Sequence, residues 1–136
     1  MVPPMRPVHL LASCLLLAAC GDDPVAAPAQ PLPAPAQLDA LASDPAVLAR
    51  GRQLYLTGKG YCTTCHGVDG NGGPQGARLA SGQWLHGGSM AEVVRSISEG
   101  YPQKGMRPWK DSFSQDELIA LAAFVRTLPA SAASAK

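Results

Sequence analysis

Charge of either sign is scarce in this sequence and nearly cancels. Its 136 residues carry 11 Lys and Arg against 10 Asp and Glu, a formal net charge of +1. It lacks the basic footprint of a nucleic-acid binder, so no nucleic-acid partner is expected. Aromatic residues are few: seven in all, none before Tyr55. The bulky material for a core therefore sits in the second two-thirds of the chain, and the length allows one modest domain. No apolar run approaches the ~18 residues that a membrane-crossing helix needs, which excludes a permanent span. No stretch alternates apolar and polar residues long enough to predict a strand.

Proline and glycine are plentiful, and both are concentrated. Five of the 13 prolines fall within 24–37, and ten of the 14 glycines within 58–88. Ahead of the prolines, residues 1–19 read as a secretory signal: Arg6 for the positive region, then the short apolar run from Leu10 to Ala19. Leu17-Ala18-Ala19-Cys20 resembles the lipoprotein box of bacteria, which implies lipidation at Cys20 and anchorage to a membrane facing the periplasm. An ordinary secretory signal with a bystander cysteine is the alternative. Residues 20–43 are expected as a lipid-anchored, Pro/Ala-rich tether, because PVAAPAQPLPAPAQ at 24–37 offers no aromatic or charged residue. At ~3.1 Å per residue its 14 residues would reach on the order of 40 Å. Residues 130–136 read as a polar tail.

The folded domain is expected over 44–129. Asp44-Pro45 pairs an N-cap with proline at the first helical position. Val47, Leu48, Gly51, Leu54 and Tyr55 follow at helical spacing, and Gly58 and Gly60 stop that helix. Ser89 and Glu92 form a capping box before the stripe Met90, Val93, Val94 and Ile97, which ends at Gly100. Ser114 and Glu117 form another before Leu118, Leu121, Ala122, Val125 and Leu128, with Pro129 as terminator. Three short helices around a Gly-rich middle hold little apolar material for their size. Something other than side chains is expected to complete the core.

Cys62-Thr-Thr-Cys65-His66 names that something. C-x-x-C-H is the attachment signature of c-type haem. Thiols one helical turn apart can add to the two vinyl groups of one haem, and the adjacent imidazole is directed at the iron. A thioredoxin-like pair would need a βαβ context, which is missing. Zinc would need two further ligands, and a disulfide would close too small a loop to stabilise much. Cysteine accounting agrees: Cys14 leaves with the signal, Cys20 takes lipid, and Cys62 and Cys65 take haem. With His66 proximal, the sixth ligand is expected downstream. Met106, on a Gly/Pro-bounded loop between two helices, is favoured over Met90 and His86. Met90 belongs to a helical stripe and reads as core filler, while His86 reads as a loop residue. His/Met ligation raises the reduction potential. Gly67, Gly70, Gly72, Gly73 and Gly76 are expected to let backbone pass close to a flat macrocycle. Trp109 is expected to cover a haem edge, or else to pack in the core.

With these residues in view, the chain resembles class I cytochromes c, and among them the small c-type haem domains of cbb-type oxidases. The matching strings are Gly51-Arg-Gln-Leu-Tyr55, Cys62 to Gly67 with Asp69, Gly70 and Gly72, Trp84 to Gly88, Gly100, Met106 near Trp109, and Ser114 to Leu128. The resemblance implies a mostly α fold: three main helices and a short attachment helix around one covalent haem c. It implies first and last helices crossing near Gly51, Tyr55, Leu121 and Phe124, attachment at Cys62 and Cys65, and iron ligation by His66 and Met106. Two departures stand out. Arg107 separates Met106 from Pro108. The family places a proline before a leucine to supply the carbonyl for the proximal histidine; none precedes Leu79 here, so Pro74 or another carbonyl must provide it.

The expected function is single-electron transfer between periplasmic or membrane redox proteins, with no bond-making chemistry and hence no enzyme activity of its own. Lys59, Lys104, Arg107 and Lys110 form either a basic rim that steers acidic partners or an ordinary solvated surface. The alternatives are a haem subunit of a larger dehydrogenase or oxidase, and a ligand-binding haem protein with a labile sixth site.

Overall fold

The computed structural model describes residues 30–129. The expected signal at 1–19, Cys20 and the tail at 130–136 lie outside the described residues. Five α-helices follow in order: α1 Pro35–Ala42, α2 Pro45–Thr57, α3 Cys62–His66, α4 Met90–Glu99 and α5 Gln115–Val125. Short 3-10 turns occur at Leu79–Ser81 and Pro102–Lys104. Among the described residues there is no strand, only an isolated bridge between Tyr101 and Met106.

The caps explain where the helices begin. Asp44 Oδ1 accepts the N–H groups of Ala46 at 2.7 Å and Val47 at 3.1 Å. Ser89 and Glu92 satisfy each other's backbone N–H at the start of α4, and Ser114 and Glu117 do so at α5. α5 is apolar nearly all round, and every residue from Leu118 to Ala123 is buried. Such a helix must be surrounded: α1, α2 and α4 pack on it, α2 most extensively.

The α2–α5 crossing lies where the resemblance implied. A Cβ added at Gly51 would stand 1.9 Å from the Ala120 carbonyl oxygen and 2.8 Å from Phe124 Cβ. Only a glycine lets the two backbones come that close. One turn on, Tyr55 packs its ring on Phe124 at 5.3 Å between centroids.

The tether reading needs correction at its C-terminal end. Pro35–Ala42 is helical, and Leu38 is 1% exposed, among the most buried side chains of the core. Alanine favours helix, proline is tolerated in the first turn, and Leu38 and Leu41 share a face at i, i+3. Gln37 Oε1 accepts the Ala34 N–H at 3.2 Å. Gln115 on α5 donates from Nε2 to the Pro31 carbonyl at 3.2 Å, so the chain lies on the domain before α1 starts. The domain thus begins upstream of Asp44, with four main helices rather than three.

The middle of the chain adds little to this core. From Tyr61 to Ser89 the buried residues are Gly70 and Ala80. Cys62, Leu79 and Trp84 are partly buried against the core. The helices therefore form a base, and the Gly-rich segment and the Met106 loop lie against it.

Candidate functional site

The attachment motif is a single helical turn entered through a strained residue. Tyr61, just before α3, has φ 49°, and among the described residues it is the one non-glycine with positive φ. Backbone strain of this kind costs about 1–3 kcal/mol and persists where surroundings over-determine it. α3 then presents Cys62 and Cys65 one turn apart, half-buried, with neither in a disulfide. Burial pushes the Cys62 thiol above its ordinary value of 9.0, so it is a neutral thiol at pH 7.

α3 is tied to the core from below. Tyr55 on α2 is 1% exposed, and its hydroxyl donates to the Gly67 carbonyl at 2.6 Å, directly after the motif. Burial, with the Cys62 thiol and Asp69 nearby, pushes the phenol up to about 12, so it remains a donor at physiological pH. The buried phenol needed a polar partner, and that need was the available clue to this tie.

His66 is oriented by the loop that returns over it. Its Nδ1 lies 2.9 Å from the Ala77 carbonyl oxygen, and a carbonyl can only accept, so Nδ1 carries the proton and Nε2 keeps its lone pair. Of the two alternatives, Pro74 or another carbonyl, it is another: Pro74 is exposed, and the partner is Ala77. The reason is the backbone path. A Cβ at Gly76 would sit 2.1 Å from the Cys65 carbonyl oxygen, so the loop touches α3 at residue 76 and the next carbonyl reaches the imidazole. Around the turn, the Gly72 N–H donates to the His66 carbonyl at 2.8 Å, and the Ala80 N–H to Gly70 at 2.8 Å. Two of these glycines stand close to other protein atoms: Gly76 meets Cys65, and Gly70 meets Leu128.

The sixth-ligand candidates separate clearly. Met90 is 1% exposed inside the helical core, so protein already encloses its thioether. His86 is exposed and stacks on the Tyr101 ring, with centroids 4.1 Å apart. Met106 is half-buried on the loop after α4, paired through its backbone with Tyr101. Trp109 is half-buried, packs on Phe113 at 5.8 Å and lies beneath the Arg107 guanidinium at 4.4 Å.

The residues present fit a covalently held haem. Two thiols one turn apart and an adjacent imidazole with its Nδ1 engaged are the donor types that a covalent haem takes, and Met106 offers a thioether on another loop. The poorly filled middle and the 75% exposed Tyr61 beside Cys62 leave apolar surface for a flat group to cover. Among the described residues no three His, Cys, Asp or Glu side chains converge into a metal cluster of their own.

Residues 46–125 match the family model for cytochrome c oxidase, cbb3-type, subunit III. Similar relatives include the cbb3-type cytochrome c oxidase subunit FixP of Azorhizobium caulinodans, 33% identical over 82 residues, covering 58% of this chain and 26% of that protein. The CcoP subunit of Rubrivivax gelatinosus is 36% identical over 62 residues, 46% of this chain and 19% of that protein. The CcoP subunit of Rhodobacter capsulatus is 33% identical over 67 residues, 46% and 22% respectively. The chain spans about a quarter or less of the length of these relatives. No solved structure matches the chain.

Proposed function

The chain belongs to the cbb3-type cytochrome c oxidase subunit III family, and from that premise we propose that it is a mono-haem c-type cytochrome passing single electrons between redox proteins at a bacterial membrane. Family membership brings the cytochrome c fold, haem c and electron transfer. The finer reading is one haem that Cys62 and Cys65 would hold covalently, with His66 and Met106 as the residues that would bind its iron.

The observation that carries this reading is the His66 ring. Its Nδ1 is engaged by Ala77, which leaves Nε2 as the metal-binding nitrogen and makes the imidazole a stronger donor. When bound, the haem supplies a one-electron iron couple. The chain's own part is to hold that couple still. Cys62 and Cys65 prevent its loss, and Tyr55 and Gly67 fix the attachment turn to the helical base. One electron enters from a reduced donor and one leaves to an oxidised acceptor, with no bond made or broken.

The N-terminal signal and the box ending at Cys20 support an exported, lipid-anchored protein facing the periplasm. The names of the relatives favour a second reading, a fixed haem subunit of a membrane oxidase. Size-exclusion of gentle detergent extracts separates the two. A free carrier elutes as a small species, and a subunit travels with its complex.

The test is an optical spectrum of protein made with periplasmic haem-attachment machinery, recorded oxidised, reduced, and reduced under carbon monoxide, beside Met106→Ala. A c-type spectrum that carbon monoxide alters only weakly, and far more strongly in the variant, is the expected result. Free carbon monoxide binding by the wild type would move the ligand-binding reading ahead, and absence of covalent haem would overturn the proposal.

A further inference from the structure

We propose that Tyr101 is a positioning residue for the Met106 thioether, and that the His86 ring stacked on it completes the clamp. This rests on the reading of Met106 as an iron ligand.

Met106 closes a six-residue turn that begins at Tyr101. The Tyr101 N–H donates to the Met106 carbonyl at 2.7 Å, and the Met106 N–H donates back to the Tyr101 carbonyl at 3.2 Å. Between them the 3-10 turn Pro102–Lys104 completes the loop. The placement of the Met106 backbone is therefore set by Tyr101. Tyr101 in turn is held through its side chain by two separate elements. Its hydroxyl lies 2.9 Å from Ser96 Oγ in the last turns of α4. Its ring face lies on the His86 imidazole, 4.1 Å between centroids and 21° from parallel, and His86 comes from the loop before α4.

The far side of Met106 is secured differently. The Trp109 and Lys110 N–H groups both donate to the Ser98 carbonyl, at 2.9 and 3.1 Å. Arg107, which separates Met106 from Pro108, stacks on Trp109 and donates to Ser112 Oγ at 3.0 Å. The loop thus has side-chain fastenings where a Met-Pro sequence would have had an adjacent ring. The ring contact of His86 is with Tyr101, so its effect is carried through Tyr101.

A thioether competes with carbon monoxide for reduced iron. Apparent carbon monoxide affinity is the intrinsic affinity multiplied by the fraction of sites with the thioether released. Loosening the clamp raises that fraction, and carbon monoxide titration reads it directly.

The experiment uses the full haem-loaded chain, reduced and titrated with carbon monoxide, with thermal unfolding as the parallel measurement. His86→Ala is expected to tighten apparent carbon monoxide binding about threefold to tenfold, the scale of one aromatic stack. His86→Phe, which keeps a flat ring on Tyr101, is expected to return it to the wild-type value. Both variants should still unfold cooperatively with haem bound, the midpoint of His86→Ala falling by no more than one aromatic stack accounts for, because His86 is exposed. Tyr101→Phe keeps the stack and loses the Ser96 contact, for an expected change of about twofold to fivefold. If His86→Ala and Tyr101→Phe both match the wild type while Met106→Ala binds freely, Met106 is a ligand but Tyr101 does not position it. If His86→Phe shifts as far as His86→Ala, the stack is not the cause, and the proposal falls. Equal binding by the wild type and Met106→Ala would instead sink the ligand reading on which it stands.

Discussion

Gly51→Ala sets two well-known effects against each other at one atom. Alanine in place of glycine inside a helix normally stabilises by about 1 kcal/mol, and α2 is helical on both sides of Gly51. At this position the new Cβ would lie 1.9 Å from the Ala120 carbonyl oxygen, where ordinary contact needs more than 3 Å. The obstacle is backbone in a buried helix, so it cannot rotate aside as a side chain would. α2 and α5 must separate by more than about 1 Å along their whole crossing, loosening the largest helix contact of the fold. Overpacking costs about 1–3 kcal/mol and occasionally more. With no soft neighbour the top of that range applies, and a net loss of about 2 kcal/mol remains after the propensity gain. A domain holding about 5–15 kcal/mol in total would feel that plainly. Denaturant unfolding of the haem-loaded protein should show a lower midpoint with an unchanged slope. Arg52→Ala, on the exposed face of the same helix, should stay within about 0.5 kcal/mol. A Gly51→Ala protein as stable as the wild type, or more so, would refute the close crossing.

Other substitutions test other parts. Leu38→Ala should cost about 2–5 kcal/mol, as for a fully enclosed leucine; a loss below about 1 kcal/mol would return residues 35–42 to the tether. Gly76→Ala should lower the yield of covalent haem and the stability of the product, because the new methyl would meet the Cys65 carbonyl; unchanged yield and stability would remove residue 76 from the site. Burial works to raise the Glu117 carboxyl, but the Ser114 N–H, Lys59 and Arg50 outweigh it and hold it below its ordinary value of 4.5. Its stabilising contribution is therefore complete above about pH 4.5 and fades as pH falls through the lower folded value. Wild-type and Glu117→Gln stability curves should converge at low pH and part above it, and parallel curves would argue against the Arg50 and Lys59 pairings. Lys104 and Lys110 are exposed, whereas Lys59 is occupied by Glu117 and the Phe113 ring. Changing Lys104 and Lys110 to Glu should slow electron exchange with an acidic partner and flatten its salt dependence; rates that do not move would dispose of steering.

Three helices were readable before any coordinates because their starts carry side-chain chemistry. Asp44, Ser89 with Glu92, and Ser114 with Glu117 each cap an N-terminus, and apolar stripes follow at the right spacing. α1 escaped because its N-cap is alanine, with no side chain to accept a hydrogen bond, and it sits in a Pro/Ala composition shared by extended tethers. Its trace was the Leu38–Leu41 spacing after Pro35, a two-residue signal that becomes decisive only when α5 offers a surface to bury it. Within the site, Cys62, Cys65 and His66 are local in sequence, so their adjacency was fixed by the motif. The partner of His66 was not. A loop carbonyl points where the backbone path sends it, and that path depends on contact between Gly76 and Cys65. The Tyr101–His86 stack was likewise hidden, because neither ring belongs to a recognisable pattern.

The acceptor for His66 belongs to the main chain, and every amino acid that could occupy position 77 has that carbonyl. Substitution at Ala77 therefore cannot delete the bond, and the electronic tuning of the imidazole is sheltered from mutation at the residue that performs it. The exposure to mutation moves one place upstream. Gly76 has no side chain and no chemistry, yet any replacement displaces the loop and its carbonyl together. Descendants of this sequence could vary freely at the residue holding the histidine while remaining bound to glycine at its silent neighbour.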